Sequence, residues 1–389
     1  MAMIYVIDDD VQMAELLCAA MDIIEMESQH YSNAREFFNV DLKATDIILL
    51  DLNMPDVDGI EVIRTLSDKN CQSRVILISG HDKGVLHSAE QLAQAHSINV
   101  VACLTKPIQI SGLQDVIKKV SQDVPEAEKV HESASLLPEL EELKVAIAQN
   151  QLVLHYQPQI DIKSGALKGV EALVRWQHPE RGLIYPDMFI SLAEENDLIG
   201  ELTSQVIAMS MQQNKIWKAE GLNIRVSVNI SAENITSHSL PAQLADMLVN
   251  TNLDPQLLTL EITESALMGE LVTSLEILTR LRMKGLGLSI DDFGTGYSSL
   301  SQLHRIPFTE LKIDKNFVMK METDNEAEAI VKTCILLGHE LNMEVVAEGV
   351  ETQEVLGMLK DLKCDIAQGY HIARPMAHDK LLEWALNYN

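Results

Sequence analysis

The chain has 389 residues, 47% of them hydrophobic, and a formal net charge of −28. That length exceeds one ordinary core and predicts two domains. No apolar run reaches membrane-spanning length, and an acidic chain without a basic stripe argues against binding duplex DNA.

The N-terminus enters a strand at once, without a basic leader, so no signal peptide is expected. Cys18, Cys71, Cys103, Cys334 and Cys364 stand singly, which fits a reducing cytoplasm and assigns them no metal. An anionic substrate would have to be drawn in locally, by bound cations and a few placed Arg or Lys.

Residues 1–122 alternate short apolar runs (Ile4–Ile7, Ile47–Leu50, Val75–Ile78, Val100–Leu104) with amphipathic stretches such as Val11–Met21 and Gly59–Ser67. This alternation predicts a doubly wound parallel sheet, whose functional residues gather at the carboxyl ends of the strands. Those ends carry Asp8 and Asp9, Asp51, Ser79, and Lys106 followed by Pro107. Three carboxylates, a hydroxyl and a lysine suit Mg²⁺ and a phosphoryl group, with Asp51 as phosphoacceptor, Asp8 and Asp9 on the metal, and Ser79 and Lys106 on phosphoryl oxygens.

With its Asp8-Asp9, Asp51-Leu-Asn-Met-Pro-Asp-Val-Asp-Gly59, Ser79 and Thr105-Lys-Pro107, the segment resembles the receiver domain of two-component response regulators. The resemblance implies a flavodoxin-like fold and a partner histidine kinase. Receivers usually carry an aromatic switch residue where this chain has Cys103, and often Phe where it has Ile108. A receiver that only dimerises, and is never phosphorylated, is the rival reading.

Residues 123–138 are polar, hold Pro125 and Pro138, and are expected to form a linker. Helical spacing resumes over Glu139–Gln149 and opens a second domain, 139–389. Eight strand-like runs follow: Leu152–Tyr156, Lys168–Trp176, Ile224–Ile230, Leu258–Ile262, Leu286–Ile290, Glu310–Ile313, Val345–Ala347 and Cys364–Ala367. Helical patterns at Ile190–Ile199, Leu240–Val249, Ser274–Met283 and Ala327–Leu341 fill the gaps. The whole predicts a (β/α)₈ TIM-like barrel with its site at the C-terminal rim. The first connection, built around Asp161–Gly165, is too short for a parallel crossover, so the first strand should run antiparallel.

The rim gathers Glu171, Asn229, Glu261, Asp291, Asp292, Glu348, Gln368 and Lys312. Taken alone, Asp291-Asp292 followed by Gly294 also fits a solvated turn. The set as a whole is oxygen-rich and suits Mg²⁺ or Mn²⁺ rather than zinc, with enough carboxylates for two ions. Two such ions would activate a water and stabilise in-line displacement at a phosphodiester. His155, His178 and His371 are left out, because a lone histidine is more often packed or solvated.

Glu171-Ala-Leu173, Gln157-Pro158, Arg175-Trp176, Asn229-Ile-Ser231, Glu261-Ile-Thr-Glu264, Asp291-Asp-Phe-Gly294, Leu311-Lys-Ile-Asp314, Glu348-Gly-Val-Glu351 and Gln368-Gly-Tyr370 resemble, in order, the motifs of the EAL family of cyclic di-GMP phosphodiesterases. The resemblance implies that Glu171, Asn229, Glu261 and Asp291 bind one cation, with Asp292 and Glu348 completing the second. It makes Lys312, Glu348, Asp292 and Gln368 catalytic, and Gln157, Leu173, Arg175, Asp314 and Glu351 substrate-binding. Glu264 would anchor the loop from Phe293 to Ser301, which in the family couples dimerisation to the metal site, so a homo-oligomer is expected. The function implied is a phosphorylation-regulated, cytoplasmic hydrolase opening cyclic di-GMP to linear pGpG. The alternative is a receptor or scaffold that binds the dinucleotide without hydrolysing it.

Overall fold

The computed structural model describes residues 3–24, 26–69, 71–80, 83–96, 98–122, 138–268, 271–295, 303 and 305–388. The chain divides into two compact units, Met1–Leu136 and Leu137–Asn389. Most of the linker segment and the loop beyond Thr295 lie outside the described residues.

The first unit is a five-stranded parallel sheet. Its strands are β1 (Ile4–Ile7), β2 (Ser28–Tyr31), β3 (Ile47–Asp51), β4 (Arg74–Ser79) and β5 (Asn99–Thr105), in the order β2-β1-β3-β4-β5. Successive side chains of β1, β3 and β4 feed two separate cores. Tyr5, Ile7, Ile48, Leu50, Val75 and Leu77 pack on one face, and Ile4, Val6, Ile47, Leu49, Ile76 and Ile78 on the other. This is how a continuous apolar run reads when helices cover both faces. β2 has no apolar run; its Ser-Gln-His-Tyr sits at the sheet edge, aligned with Ile4–Ile7 by backbone pairing. The helix Gly59–Asp68 starts against the end of β3, where a Cβ on Gly59 would lie 2.6 Å from the Leu52 Cα and 2.8 Å from the Asp51 carbonyl oxygen. Only glycine permits that approach beside the acceptor aspartate.

The second unit is a barrel of eight strands with helices outside. They are β6 (Leu152–Asp161), β7 (Leu167–His178), β9 (Arg225–Asn229), β10 (Leu258–Thr263), β11 (Gly287–Phe293), β12 (Glu310–Ile313), β13 (Glu344–Ala347) and β14 (Ile366–Gln368). A short β8 (Gly182–Ile184) pairs with β7 outside the ring. β6 is antiparallel to both neighbours, β7 and β14, while the other pairs around the ring are parallel. The tight turn after β6 uses Gly165 at φ 75°, and the Asp161 carboxylate accepts from the Ser164 N–H and hydroxyl, each at 2.7 Å.

The barrel core is annular. Val226, Val228, Leu260, Ile262, Leu288, Ile290, Leu311 and Ile313 pack against the helices. The alternate residues (Ser227, Thr259, Glu261, Ser289, Asp291, Glu310 and Lys312) share the opposite face and are buried as well. At the starts of the strands, Arg225 pairs with Glu310 at 2.6 Å and with Glu344 at 2.8 Å, and Lys168 joins Glu344 at 3.0 Å.

Several boundaries differ from the sequence expectation. β6 continues through Gln157 and Pro158, pairing Pro158 with Val170, although proline normally ends a central strand. β11 runs on past Ile290, so Asp291 and Asp292 lie within the strand. A register shift between Ile290 and Phe293, with Asp292 at φ 54°, accommodates them. The pattern at Ile190–Ile199 splits into the helices Ile190–Glu195 and Ile199–Ala219. The latter, 21 residues long, carries Trp217 edge-on against Tyr156 with ring centroids 4.7 Å apart.

Trp217→Ala removes a side chain only 1% exposed, and should cost about 3–5 kcal/mol in urea denaturation. Leu386→Ala, at a 74% exposed position, should stay within about 0.5 kcal/mol of the parent.

Candidate active site

The barrel site is built around one ammonium. Lys312 is wholly buried, and its Nζ lies 2.6 Å from Glu348 Oε1, 2.8 Å from Glu261 Oε2, 3.3 Å from Asp291 Oδ1 and 3.7 Å from Glu171 Oε2. Strand geometry delivers this convergence. β12 lies between β11 and β13, which supply Asp291 and the strand leading into Glu348. Burial drives the Lys312 amine down, but Asp291, Glu171, Glu261 and Glu348 outweigh it and hold the amine well above its ordinary range.

The carboxylates diverge in their environments. Burial raises Glu171, but Lys312, Gln368 and Asn229 overcome it and keep its carboxyl below the usual value. Its Oε1 accepts from Asn229 Nδ2 at 2.9 Å and its Oε2 from Gln368 Nε2 at 2.5 Å. Burial pushes Glu348 up to about 8 against the pull of Lys312, with Asp291 and Glu171 adding to the rise. Burial and the neighbouring Asp291 raise Asp292 to about 6. Glu261 is pushed well above the carboxylate range, first by burial and then by Glu171 and Asp291 against Lys312.

The site holds more carboxyl groups than Lys312 can balance as carboxylates. Asp291, Asp292 and Glu348 each offer an oxygen within 4.8 Å of the others, and Glu261 Oε1 is buried without a hydrogen-bond partner. All of these donors are oxygens. A hard divalent cation fits that donor set and that orphaned oxygen.

Around this centre, Arg175 is 6% exposed, donates to the Val174 carbonyl and lies over the Tyr185 ring at 5.0 Å. Gln157 Nε2 donates to the Ala373 carbonyl at 3.2 Å. Leu173 and Asn229 line a cavity of about 520 Å³ walled by Pro186, Ile190 and Leu202. Asp314 accepts from the Asn316 N–H at 2.9 Å, which caps the next helix, and shares a hydrogen bond with Asp292. Glu351 is exposed. Buried Glu264 accepts from the Gly294 N–H at 3.2 Å, at the start of the loop whose remainder lies outside the described residues. His178 serves a turn: its Nδ1 accepts from the Glu180 and Arg181 N–H groups. Gln159, fully buried and hydrogen-bonded to Gln368 at 2.8 Å, is not among the sequence-derived candidates. Its signal was the two-residue spacing from Gln157, hidden by Pro158.

In the first unit, Lys106 Nζ bridges Asp8 Oδ2 and Asp51 Oδ2, at 2.8 Å each. Asp8, Asp9 and Asp51 form a second acidic group of metal-binding size, with Asp9 exposed. Ser79 is buried at the end of β4. Burial raises Asp8, opposed by Lys106. Cys103 is half-buried on β5, and burial, then Glu90, push its thiol up to about 11.

Family models match at residues 4–118 for a response regulator receiver domain and at residues 140–375 for an EAL domain. The cyclic di-GMP phosphodiesterase RocR of Pseudomonas aeruginosa is 32% identical over 87% of this chain and 86% of its own length. The bifunctional diguanylate cyclase/cyclic di-GMP phosphodiesterase MucR of the same organism is 42% identical over 62% of this chain, which spans 36% of MucR. A solved structure of the PaMucR phosphodiesterase in a c-di-GMP complex superposes with a TM-score of 0.60 at 42% identity, over 62% of this chain and 98% of that one. Among the described residues no helix is long and apolar enough to cross a membrane. With well over half its length matched, this chain belongs to the EAL domain family and carries a response regulator receiver domain ahead of its barrel.

Proposed function

We propose that the chain hydrolyses one phosphodiester of cyclic di-GMP to give linear pGpG, under control of phosphorylation at Asp51. The observation that carries this reading is the buried Lys312 ammonium inside an incompletely neutralised carboxylate cage, with Glu261 Oε1 unpartnered. The sequence relatives RocR and MucR support it.

Glu171, Asn229, Glu261 and Asp291 would hold one divalent ion, and Asp292 and Glu348 would complete the site of a second. Two Mg²⁺ or Mn²⁺ ions there would supply charge neutralisation at the phosphodiester and a lowered pKa for the attacking water. Lys312 keeps four carboxylates directed at one point and offsets negative charge developing at phosphorus. Gln368 orients Glu171. Arg175 and Gln157 bind phosphate and guanine edges, and Leu173 walls the adjoining cavity. The oxygen of the attacking water bonds to phosphorus as the P–O3′ bond breaks, Glu348 or Asp292 takes the water's proton, and the departing 3′-oxygen takes a proton from solvent. Asp314 and Glu351 complete the substrate surround.

In the receiver, Asp51 accepts phosphoryl from a histidine kinase, with Mg²⁺ on Asp8 and Asp9 and with Ser79 and Lys106 on phosphoryl oxygens. Exposed Val249, Val272 and Met283, on barrel helices that pack together, support self-association through that unit.

Three outcomes are expected. Purified protein should open cyclic di-GMP with Mg²⁺ or Mn²⁺ and lose turnover in excess chelator. Glu171→Ala and Lys312→Ala should each lose about 100-fold or more in kcat, the scale of a lost charge-stabilising group. Binding of the dinucleotide without turnover in the parent protein would sink the hydrolase reading.

The second outcome concerns pH. Raised carboxyls at Glu348 and Asp292 mean that the metal-free native state holds more protons than the unfolded chain, whose carboxyls titrate near about 4. Their contribution to stability is therefore complete at low pH and is lost as pH rises through about 6 and then about 8. Cation binding requires the ionised forms, so the rise in Tm on adding Mn²⁺ should grow across that window, as followed by thermal denaturation. A shift independent of pH would contradict this assignment.

The third outcome concerns Asp51→Asn. A small phosphodonor should change kcat in the parent and leave Asp51→Asn unaffected, with an increase expected. No response in demonstrably phosphorylated parent protein would leave the receiver as a docking module.

A further inference from the structure

Three buried glutamines form a directed ladder beside Glu171. Gln159 Nε2 donates to Gln368 Oε1 at 2.8 Å. Gln368 Nε2 donates to Glu171 Oε2 at 2.5 Å and to Gln157 Oε1 at 3.1 Å. Gln157 Nε2 donates in turn to the Ala373 carbonyl.

The two outer groups, a backbone carbonyl and an ionised carboxylate, only accept. Turning the Gln368 amide over would set its oxygen against Glu171 and Gln157, and turning Gln159 would set oxygen against Gln368 Oε1. The partners therefore determine all three orientations. In the one arrangement that satisfies them, Gln159 Oε1 remains unpartnered although the residue is fully buried. A side chain serving packing alone gains nothing from an amide with a stranded acceptor. The neighbouring strand leaves space for it: a Cβ on Gly169 would lie 3.2 Å from Gln159 Oε1 and 2.9 Å from the Arg225 carbonyl oxygen.

We propose that Gln159 is a positioning residue for phosphodiester hydrolysis. Its donation to Gln368 Oε1 fixes which face of that amide meets Glu171, and so orients the Glu171 carboxylate between Asn229 and Lys312. This rests on the hydrolase reading above and adds a residue that touches neither substrate nor reacting atoms.

The test is Gln159→Met in the full chain, which keeps the volume and deletes the donor. Three quantities are measured: kcat and KM for cyclic di-GMP, Mn²⁺ affinity by electron paramagnetic resonance without substrate, and Tm. The expected result is a loss of about 10–100-fold in kcat and Mn²⁺ affinity, as for other groups that orient a metal ligand. KM should stay within about twofold, and Tm should change little, because the stranded Gln159 Oε1 is removed while Gln368 Oε1 loses its donor. Unchanged kcat and Mn²⁺ affinity overturn the proposal. So does a loss of both that accompanies a collapse in Tm, which would assign Gln159 to the fold. If the parent protein does not turn over cyclic di-GMP, the hydrolase reading fails by itself, and the Mn²⁺ arm still decides whether Gln159 orients Glu171.

Discussion

One ammonium, Lys312 Nζ, sets the constraint on which the barrel site depends. Removing a lysine from water costs several kcal/mol, so it remains charged in the interior only where opposite charge and hydrogen bonds replace the solvent. Here the replacement comes from Glu171, Glu261, Asp291 and Glu348, carried on or just beyond four different strands. Each of those carboxylates would in turn be costly to bury without the lysine. The result is a mutually dependent cluster that holds its shape before substrate arrives, and its surplus of acid leaves room for cations.

That dependence extends along the barrel axis. Glu310 and Lys312 stand two residues apart on β12 and face the same interior. Below Lys312, Arg225 ties Glu310 and Glu344 across the starts of the strands. The interior is thus two stacked charged layers within a ring of apolar packing, instead of the apolar layers common in such barrels. Ser227, Ser289 and Thr259 share that interior without adding charge.

The receiver repeats the device in a more open setting. Lys106 bridges Asp8 and Asp51 at the same 2.8 Å separation, but its side chain is 23% exposed where that of Lys312 is wholly enclosed. The receiver's lysine thus keeps partial access to solvent, although both of its carboxylate partners are buried. A site that must hold charge steady while a phosphodiester is cleaved benefits from exclusion of water.

Much of this was legible in the residues alone. Apolar runs of four residues placed β1, β3 and β4, the first two ending in Asp8 and Asp51 and the third in Ser79, and the brevity of Asp161–Gly165 required the antiparallel β6. The same pattern gathered Glu171, Glu261, Asp291, Lys312 and Glu348 at one end of the barrel, because side chains beyond buried strand ends must meet there. Three matters were settled only by tertiary structure. β2 is specified by backbone pairing at a sheet edge, which leaves no side-chain signature. β6 passes through Pro158, and β11 through Asp291 and Asp292, because neighbouring strands on both sides outweigh local preferences that would end a strand. Finally, alternation marks a polar strand face without saying whether it meets water or the inside of a closed ring. Only closure of β6 onto β7 turned Gln159, Glu310 and Lys312 inward, and only that enclosure decided which carboxylate answers which cation.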